Sequence, residues 1–252
     1  MMSLTKAHSL SEKVDNQEKS VIFDDVWKYY PLYHQITGGI KHFLINMPAA
    51  VKQMKESKFW AVNGLSFEVD KGEVLGIMGP NGAGKSTVMA MIAGVIKPSK
   101  GKVIVRGRVA PLLELGAGFH HDLTGRENAV LNGILLGMTK QEIMARLDQV
   151  LAFAELGEFI DQPIRTYSTG MMARLGFSVA VHTDPEILLV DEILAVGDES
   201  FQRKCFAKMN EFKERGITII LISHDRTTME RFCDRIIEIK DGKLANTYKP
   251  QH

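Results

Sequence analysis

The feature that most constrains the fold is a glycine-rich segment placed between an apolar run and a helical pattern. Residues 79–87 read GPNGAGKST, and they follow the apolar run at 73–78 (EVLGIM). The spacing fits the complete strand–GxxxxGKS–helix unit, with a helix predicted over residues 85–95. Glycines let the backbone amides of such a loop turn toward phosphate groups, and the start of the helix adds a positive dipole. The segment therefore predicts a phosphate-binding loop, in preference to a turn that is merely rich in glycine.

The loop also predicts how each polar group acts on a nucleoside triphosphate. We expect Lys85 to reach the β- and γ-phosphates, the Ser86 hydroxyl to bind Mg²⁺, and Thr87 to contact phosphate. The rest of the loop is expected to surround the phosphates, and these residues are Gly79, Asn81, Gly82, Ala83 and Gly84.

A second motif predicts that the bound triphosphate is hydrolysed. Residues 187–192 read ILLVDE, so that Asp191 lies at the carboxyl end of a core strand, where open α/β sheets bind their ligands. We expect Asp191 to hold Mg²⁺ directly or through water, and Glu192 to orient and deprotonate the attacking water. His224 follows the apolar strand at 217–222, within reach of a γ-phosphate oxygen. The alternative of solvated strand-end acids is less favoured beside an intact loop. A lone histidine is more often structural or surface-exposed, and only the order of the motifs, described below, favours a functional role for His224.

Composition excludes several other classes of protein. The 252 residues are 45% hydrophobic and 24% charged, and the formal net charge of +1 does not favour a nucleic-acid partner. Cys205 and Cys233 lack metal-ligand spacing, and two cysteines suit a reducing compartment better than a disulfide framework. No apolar run approaches the roughly 18–20 residues that span a bilayer. Residues 1–20 lack the apolar region of a secretory signal and are predicted to be a polar tail.

The remaining pattern indicates a parallel-sheet α/β core with a helical insertion. The insertion covers residues 123–182, between the glycine loop and the acidic strand. Within it, Thr139 opens a capping box, and a further helix is predicted to start near Ser168. A first strand is predicted at 21–27, and Asp-Gly at 241–242 predicts a hairpin turn.

The order of these motifs resembles that of the nucleotide-binding subunit of ATP-binding cassette (ABC) transporters. The resemblance covers residues 21–247, nearly the whole chain, leaving tails at 1–20 and 248–252. It implies a P-loop NTPase fold with a parallel-sheet core, an antiparallel β subdomain and a helical subdomain. It also implies ATP and Mg²⁺ as ligands, and a dimer of two copies that enclose two ATP molecules.

Further residues match the family one by one. Residues 167–171 read YSTGM where the family has its LSGGQ signature, although only the serine and the second glycine match strictly. The resemblance implies that the Ser168 hydroxyl and the Gly170 amide contact ATP held by the second copy. Asp198 matches an aspartate that crosses the dimer interface, and Arg174 matches a family arginine.

The aromatic residue that stacks on adenine matches Tyr30, with Tyr29 as a competing choice. A third interpretation places both tyrosines in the core as strand-end aromatics.

Departures from the family pattern point to one branch. Residues 111–119 (PLLELGAGF) replace the usual glutamine loop, and Glu114 is the nearest candidate to bind Mg²⁺ in place of that glutamine. Together with LTGREN at 123–128, YSTGM and DEILAVGD at 191–198, this loop resembles the branch that exports lipid-linked O-antigen, capsular polysaccharide or teichoic acid. The resemblance implies a transmembrane permease dimer as partner, a lipid-linked polysaccharide as cargo, and a peripheral position on the cytoplasmic face of the inner membrane. We expect no C-terminal carbohydrate-binding domain.

An insertion at 31–58 separates two predicted strands of the β subdomain. Apolar residues recur there at helical spacing among several lysines. One interpretation is an amphipathic helix packed on the domain. The other is an element that faces the membrane or the permease, since basic amphipathic helices suit anionic headgroups.

Three other functions remain open at this stage. They are a soluble ABC ATPase that acts on ribosomes or DNA, a nucleotide-gated regulatory module without hydrolysis, and an ABC importer or drug exporter. The direction of transport rests on the resemblance alone.

Overall fold

The computed structural model describes residues 18–31, 58–112, 116, 118–191 and 198–250. Within these ranges, nine strands form one sheet of three strands and one of six. The strands are β1 (Lys19–Pro31), β2 (Lys58–Asp70), β3 (Val74–Met78), β4 (Lys100–Val105), β5 (Val109–Leu112), β6 (Ile187–Asp191), β7 (Thr218–Ile222), β8 (Arg235–Lys240) and β9 (Lys243–Tyr248).

The three-stranded sheet is antiparallel, in the order β2-β1-β4. Its first strand is longer than predicted, because β1 pairs with β2 from Lys19 opposite Asp70 to Pro31 opposite Lys58. The predicted tail at 1–20 therefore gives its last two residues to the sheet. Of the predicted insertion at 31–58, only the two end residues, which belong to these strands, lie within the described ranges.

The six-stranded sheet has the order β5-β6-β7-β3-β8-β9 and is parallel except for the last pair. Ile222 at the end of β7 is in register with Ile77 of β3 on one side and with Asp191 of β6 on the other. Because the carboxyl ends of these strands meet at one edge, the glycine loop after β3 and the acid at the end of β6 share that edge.

Six α-helices lie in the described ranges. They are α1 (Lys85–Ile92), α2 (Gly125–Leu135), α3 (Lys140–Ala154), α4 (Thr169–Val181), α5 (Glu199–Glu214) and α6 (Arg226–Phe232).

The prediction that the first helix runs to residue 95 is wrong at its end. Gly94 has a φ of +73°, and the Val95 amide donates to the Ala90 carbonyl oxygen at 2.9 Å. A left-handed glycine followed by this bond is the usual termination of a helix, so α1 stops at Ile92.

Helices α2 to α4 lie within the predicted helical segment and share one apolar cluster. The capping box at Thr139 is confirmed, and a second one, which was not predicted, opens α2 at Thr124. Helix α4 packs against both the helical segment and the six-stranded sheet. Its Leu175 belongs to the cluster of the helical segment, whereas its Phe177 belongs to the cluster beside the six-stranded sheet.

The hairpin turn predicted at 241–242 is confirmed, and it joins β8 to β9. The amide of Gly242 donates to the Ala83 carbonyl oxygen at 3.2 Å, and the carbonyl oxygen of Gly242 accepts from the Asn63 amide at 2.8 Å. This turn thus contacts both the glycine loop and the antiparallel sheet.

Both cysteines are buried and neither forms a disulfide. Burial raises the pKa of Cys205 and of Cys233 to about 12, so both thiols stay protonated at neutral pH.

Candidate functional site

Two glycines allow the glycine loop to pass very close to neighbouring backbone. A Cβ atom on Gly84 would lie 2.2 Å from the Ala61 carbonyl oxygen, and one on Gly79 would lie 2.1 Å from that of Ile239. Gly84 precedes α1 with a φ of +101°, and no side chain of the described residues caps this helix start. The first amides of α1 therefore have no side-chain cap among these residues, which leaves them available to an anion, as in sites that bind phosphate at a helix N-terminus.

Lys85 crosses the loop from the first position of α1. Its side-chain ammonium donates to the carbonyl oxygens of Gly79 at 2.8 Å and Pro80 at 3.1 Å, and only 7% of the residue is exposed. These bonds hold the charge inside the loop, where it would meet the phosphates of a nucleotide.

A cavity of about 200 Å³ opens above this loop. Asn81, Gly82, Gly84, Lys85, Ser86 and Thr87 line one side of it, and Tyr30, Phe59 and Ala61 line the other. Most of the predicted phosphate-loop residues thus line one cavity together with Tyr30, the residue predicted to stack on adenine.

The structure distinguishes the two tyrosines proposed for adenine. Tyr30 lines the cavity and is 38% exposed. Tyr29 faces the other side of the sheet, where its ring meets Trp60 edge-on at 5.4 Å and lies under the Lys58 ammonium at 4.3 Å. Phe59 was not predicted to take part in the site, but it pairs with Tyr30 across the two strands and lines the same cavity.

Asp191 ends β6 and is half-buried, while Glu192 and Glu114 lie outside the described residues. In the described ranges, no three His, Cys, Asp or Glu residues gather into a metal-binding group. The Ser86 hydroxyl and the Asp191 carboxylate still suit Mg²⁺, which takes few protein ligands and completes its shell with phosphate oxygens and water.

His224 lies two residues after the end of β7, with its side chain exposed. It lines a second cavity, of about 320 Å³, together with Gly79 and Pro80 at the beginning of the glycine loop. The opposite wall of this cavity includes Glu238 and Lys240 of β8.

The signature residues lie at the start of α4 and do not line either cavity. Ser168 caps the helix, because its hydroxyl accepts from the Met171 amide at 3.2 Å, and the residue is exposed. A Cβ atom on Gly170 would have Ser168 Oγ at 3.8 Å as its nearest neighbour, so this helix start presents open space.

Asp198 caps α5 in a similar way. One carboxylate oxygen accepts from the Phe201 amide at 2.9 Å and from the Ser200 hydroxyl at 2.6 Å. The Ser200 hydroxyl and then the Phe201 amide hold the pKa of Asp198 below its usual value, so the group stays charged.

Asn128 organises the segment that follows the altered glutamine loop, a role that was not predicted. The side chain is fully buried and accepts from the His120 amide at 2.7 Å. Its amide group donates to the carbonyl oxygens of His120, Leu123 and Thr124 at 2.9–3.0 Å. One side chain therefore fixes the entry into α2.

Comparison with known proteins decides what kind of site this is. Residues 62–195 match the sequence model of the family described as ABC transporter. The chain belongs to the ABC transporter family. As a member, it is an ATP-binding ABC ATPase whose hydrolysis is coupled to transport, so the fold class and the ATP chemistry expected from the sequence are confirmed.

The relatives of this ABC ATPase include export proteins. The O-antigen export system ATP-binding protein RfbB of Klebsiella pneumoniae is 51% identical over 227 residues, which cover 90% of this chain and 92% of the relative. The teichoic acids export ATP-binding protein TagH of Listeria monocytogenes is 42% identical over 224 residues, covering 89% of this chain and 65% of that protein.

Among solved structures, a dimeric ATP-binding cassette in a post-hydrolysis state, bound to ADP and Pi, superimposes with a TM-score of 0.72. It covers 92% of this chain and 99% of its own, at 24% identity, and this likeness shows the fold. Among the described residues of this family member, no helix is long and apolar enough to cross a membrane.

Proposed function

We propose that this chain is the ATP-hydrolysing subunit of a transporter that exports a lipid-linked polysaccharide of O-antigen type. It acts as a homodimer on the cytoplasmic face of the inner membrane, bound to two copies of a separate transmembrane permease. The observation that carries the proposal is the 51% identity to RfbB over 90% of the chain, together with a glycine loop shaped to hold phosphate.

Each nucleotide site consists of two parts that come from different copies. The first part is the cavity at α1, where Lys85 neutralises phosphate charge and Tyr30 supports the adenine ring. The second part is the start of α4, where the Ser168 hydroxyl and the Gly170 amide donate to the γ-phosphate held by the other copy. The exposure of Ser168 and the open space at Gly170 support this division.

Hydrolysis requires a water molecule in line with the γ-phosphorus. Glu192 accepts a proton from this water as its oxygen bonds to phosphorus, the bond to the β–γ bridging oxygen breaks, and ADP and phosphate result. His224, beside the beginning of the loop, holds a γ-phosphate oxygen. Ser86 and Asp191 would hold Mg²⁺, which supplies positive charge to the phosphates.

Replacement of Glu192 tests the proposed base. The Glu192→Gln chain should bind ATP with unchanged affinity but hydrolyse it about 10²–10⁴ times more slowly, because the amide cannot accept the proton. Phosphate release by the purified chain measures the effect, and Glu199→Gln, in the exposed first turn of α5, is the matched control. Near-normal turnover of Glu192→Gln would refute the assignment.

The cargo is tested in the source organism. Loss of the chain should remove surface polysaccharide while lipid-linked glycan accumulates inside the cell, and the normal chain should restore export whereas Lys85→Ala should not. Structural analysis of the accumulated glycan separates O-antigen from teichoic acid, the second candidate, which the 42% identity to TagH favours. Normal surface polysaccharide in cells without the chain would refute the export function.

A further inference from the structure

Four charged residues connect the start of α4 to the start of α5. Arg174 lies on α4, six residues after Ser168, and Glu155 is the C-cap of α3. Asp198 is the N-cap of α5, and Lys204 lies in the second turn of that helix. We refer to these four residues as the α4–α5 brace.

Arg174 is firmly held at the centre of the brace. Its Nε donates to the Ala154 carbonyl oxygen at 3.0 Å, and one terminal nitrogen donates to a carboxylate oxygen of Glu155 at 3.0 Å. The guanidinium lies over the Phe201 ring at 4.8 Å, and the side chain is only 17% exposed. The planar fork of arginine suits such simultaneous bonding and stacking, which a lysine ammonium reproduces only in part.

Glu155 joins α5 to the same centre. Its other carboxylate oxygen accepts from the Lys204 ammonium at 2.6 Å, and Lys204 also donates to the Phe153 carbonyl oxygen at 3.0 Å. The hydrogen bond from Lys204 lowers the pKa of Glu155, so the acid stays ionised between its two cations.

Asp198 is the fourth member and is held more loosely. A carboxylate oxygen lies 3.6 Å from the second terminal nitrogen of Arg174, while the other oxygen caps α5. Arg174 therefore links the helix that presents Ser168 with the aspartate predicted to cross the dimer interface.

Aromatic packing beneath the brace already holds the helices together. Phe153, Phe177 and Phe201 pack as a triangle, with ring centroids 5.9–6.0 Å apart. Since this triangle joins α3, α4 and α5 without the charged groups, the brace is not required for the helices to associate. The α4–α5 brace adds a fixed spacing between the start of α4 and the start of α5.

We propose that Arg174 is a positioning residue, which sets the start of α4 relative to Asp198 so that one copy presents both to the nucleotide of the other. This inference rests on the proposed function, because Ser168 and Asp198 are positioned for a nucleotide only if that nucleotide is held by a second copy. It predicts that the brace governs association and turnover, whereas ATP binding by a single copy depends on the distant loop at α1.

The first measurement uses the full chain with Arg174→Ala, Arg174→Lys and the control Arg203→Ala, whose side chain is 70% exposed on α5. Arg174→Ala should lower kcat about tenfold. Its nucleotide affinity, measured at dilutions that keep the chain monomeric, should stay within about twofold of normal. Arg174→Lys should recover part of kcat, because it keeps the charge beside Glu155, and Arg203→Ala should match the normal chain.

The second measurement follows dimerisation by ATP in the Glu192→Gln chain, in which hydrolysis is slow. Adding Arg174→Ala should weaken this dimer about tenfold in sedimentation experiments. Glu155→Gln, which keeps the shape of the side chain, should weaken it in the same direction and serves if Arg174→Ala fails to fold.

The outcomes separate the two proposals. If the chain with an intact brace shows neither ATPase activity nor a dimer with ATP, the proposed function is wrong. If that chain behaves as proposed while Arg174→Ala and Glu155→Gln change only the melting temperature, or lower monomer ATP affinity as much as kcat, the positioning role is wrong.

Discussion

The starts of α1 and α4, both proposed to contact a nucleotide, differ in how they are capped. Helix α1 begins after Gly84, which has a left-handed backbone conformation and no side-chain cap. Lys85 and a cavity of about 200 Å³ lie beside the first residues of this helix. At α4, Ser168 caps its own helix and the side chain faces outward. The first is a nearly complete anion site, whereas the second supplies hydrogen-bond donors on an exposed surface.

Because of this difference, we expect one copy to bind ATP but not to hydrolyse it efficiently. Binding needs the charge and the amides at α1, which one chain contains. Transition-state stabilisation needs further donors around the γ-phosphate, and those at α4 line neither cavity of the same chain.

The largest effect should come from removing the cation at α1. Lys85→Ala should reduce ATP turnover about 10³-fold and weaken ATP binding in the monomer, because the change removes the positive charge that Lys85 holds across the loop. Calorimetric titration and phosphate release measure the two effects, with Lys102→Ala on the exposed strand β4 as the control. Normal ATP affinity in Lys85→Ala would remove the contrast between the two helix starts.

The next largest effect should distinguish two glycines of the same loop. A Cβ atom on Gly84 meets the Ala61 carbonyl oxygen at 2.2 Å, while one on Gly82 meets no atom within 4 Å. Gly84→Ala should therefore abolish measurable ATP binding, whereas Gly82→Ala should cost only about 1–2 kcal/mol of stability for its positive φ. Thermal melts with and without ATP test this, and equal behaviour of the two variants would contradict the close approach.

A smaller effect is expected from Gly170 at the start of α4. Gly170→Ala has room in the single chain and improves helix propensity, so stability should rise by no more than about 1 kcal/mol. The added methyl group would instead meet the phosphates of a second copy, so kcat should fall about tenfold while monomer ATP affinity stays normal. Unchanged kcat would indicate that this helix start does not face a nucleotide.

Local features of the fold could be predicted because they depend on neighbouring residues. The capping box at Thr139, the hairpin turn at 241–242 and the strand–loop–helix unit each follow from a few adjacent side chains. The end of α1 could also have been predicted correctly from neighbouring residues, since Gly94 is a recognisable signal for helix termination.

Features that depend on pairing between distant segments could not be predicted. Phe59 reaches the cavity only because β2 places it opposite Tyr30, and strand register is not visible in either segment alone. Arg174 could be matched to a family arginine, but its partner Glu155 is nineteen residues away and bonds through a helix end whose direction the sequence does not specify.

The turn at Gly242 determines when, during synthesis, the glycine loop gains one of its contacts. The glycine loop is complete once residue 87 has been added, yet one of its backbone supports comes from the hairpin near the other end of the sequence. At roughly 5–20 residues per second, a ribosome needs on the order of ten seconds to add the intervening segment. A nascent chain therefore lacks this contact to its nucleotide loop until Gly242 has been added, and interruption before Gly242 leaves the Ala83 carbonyl oxygen without it.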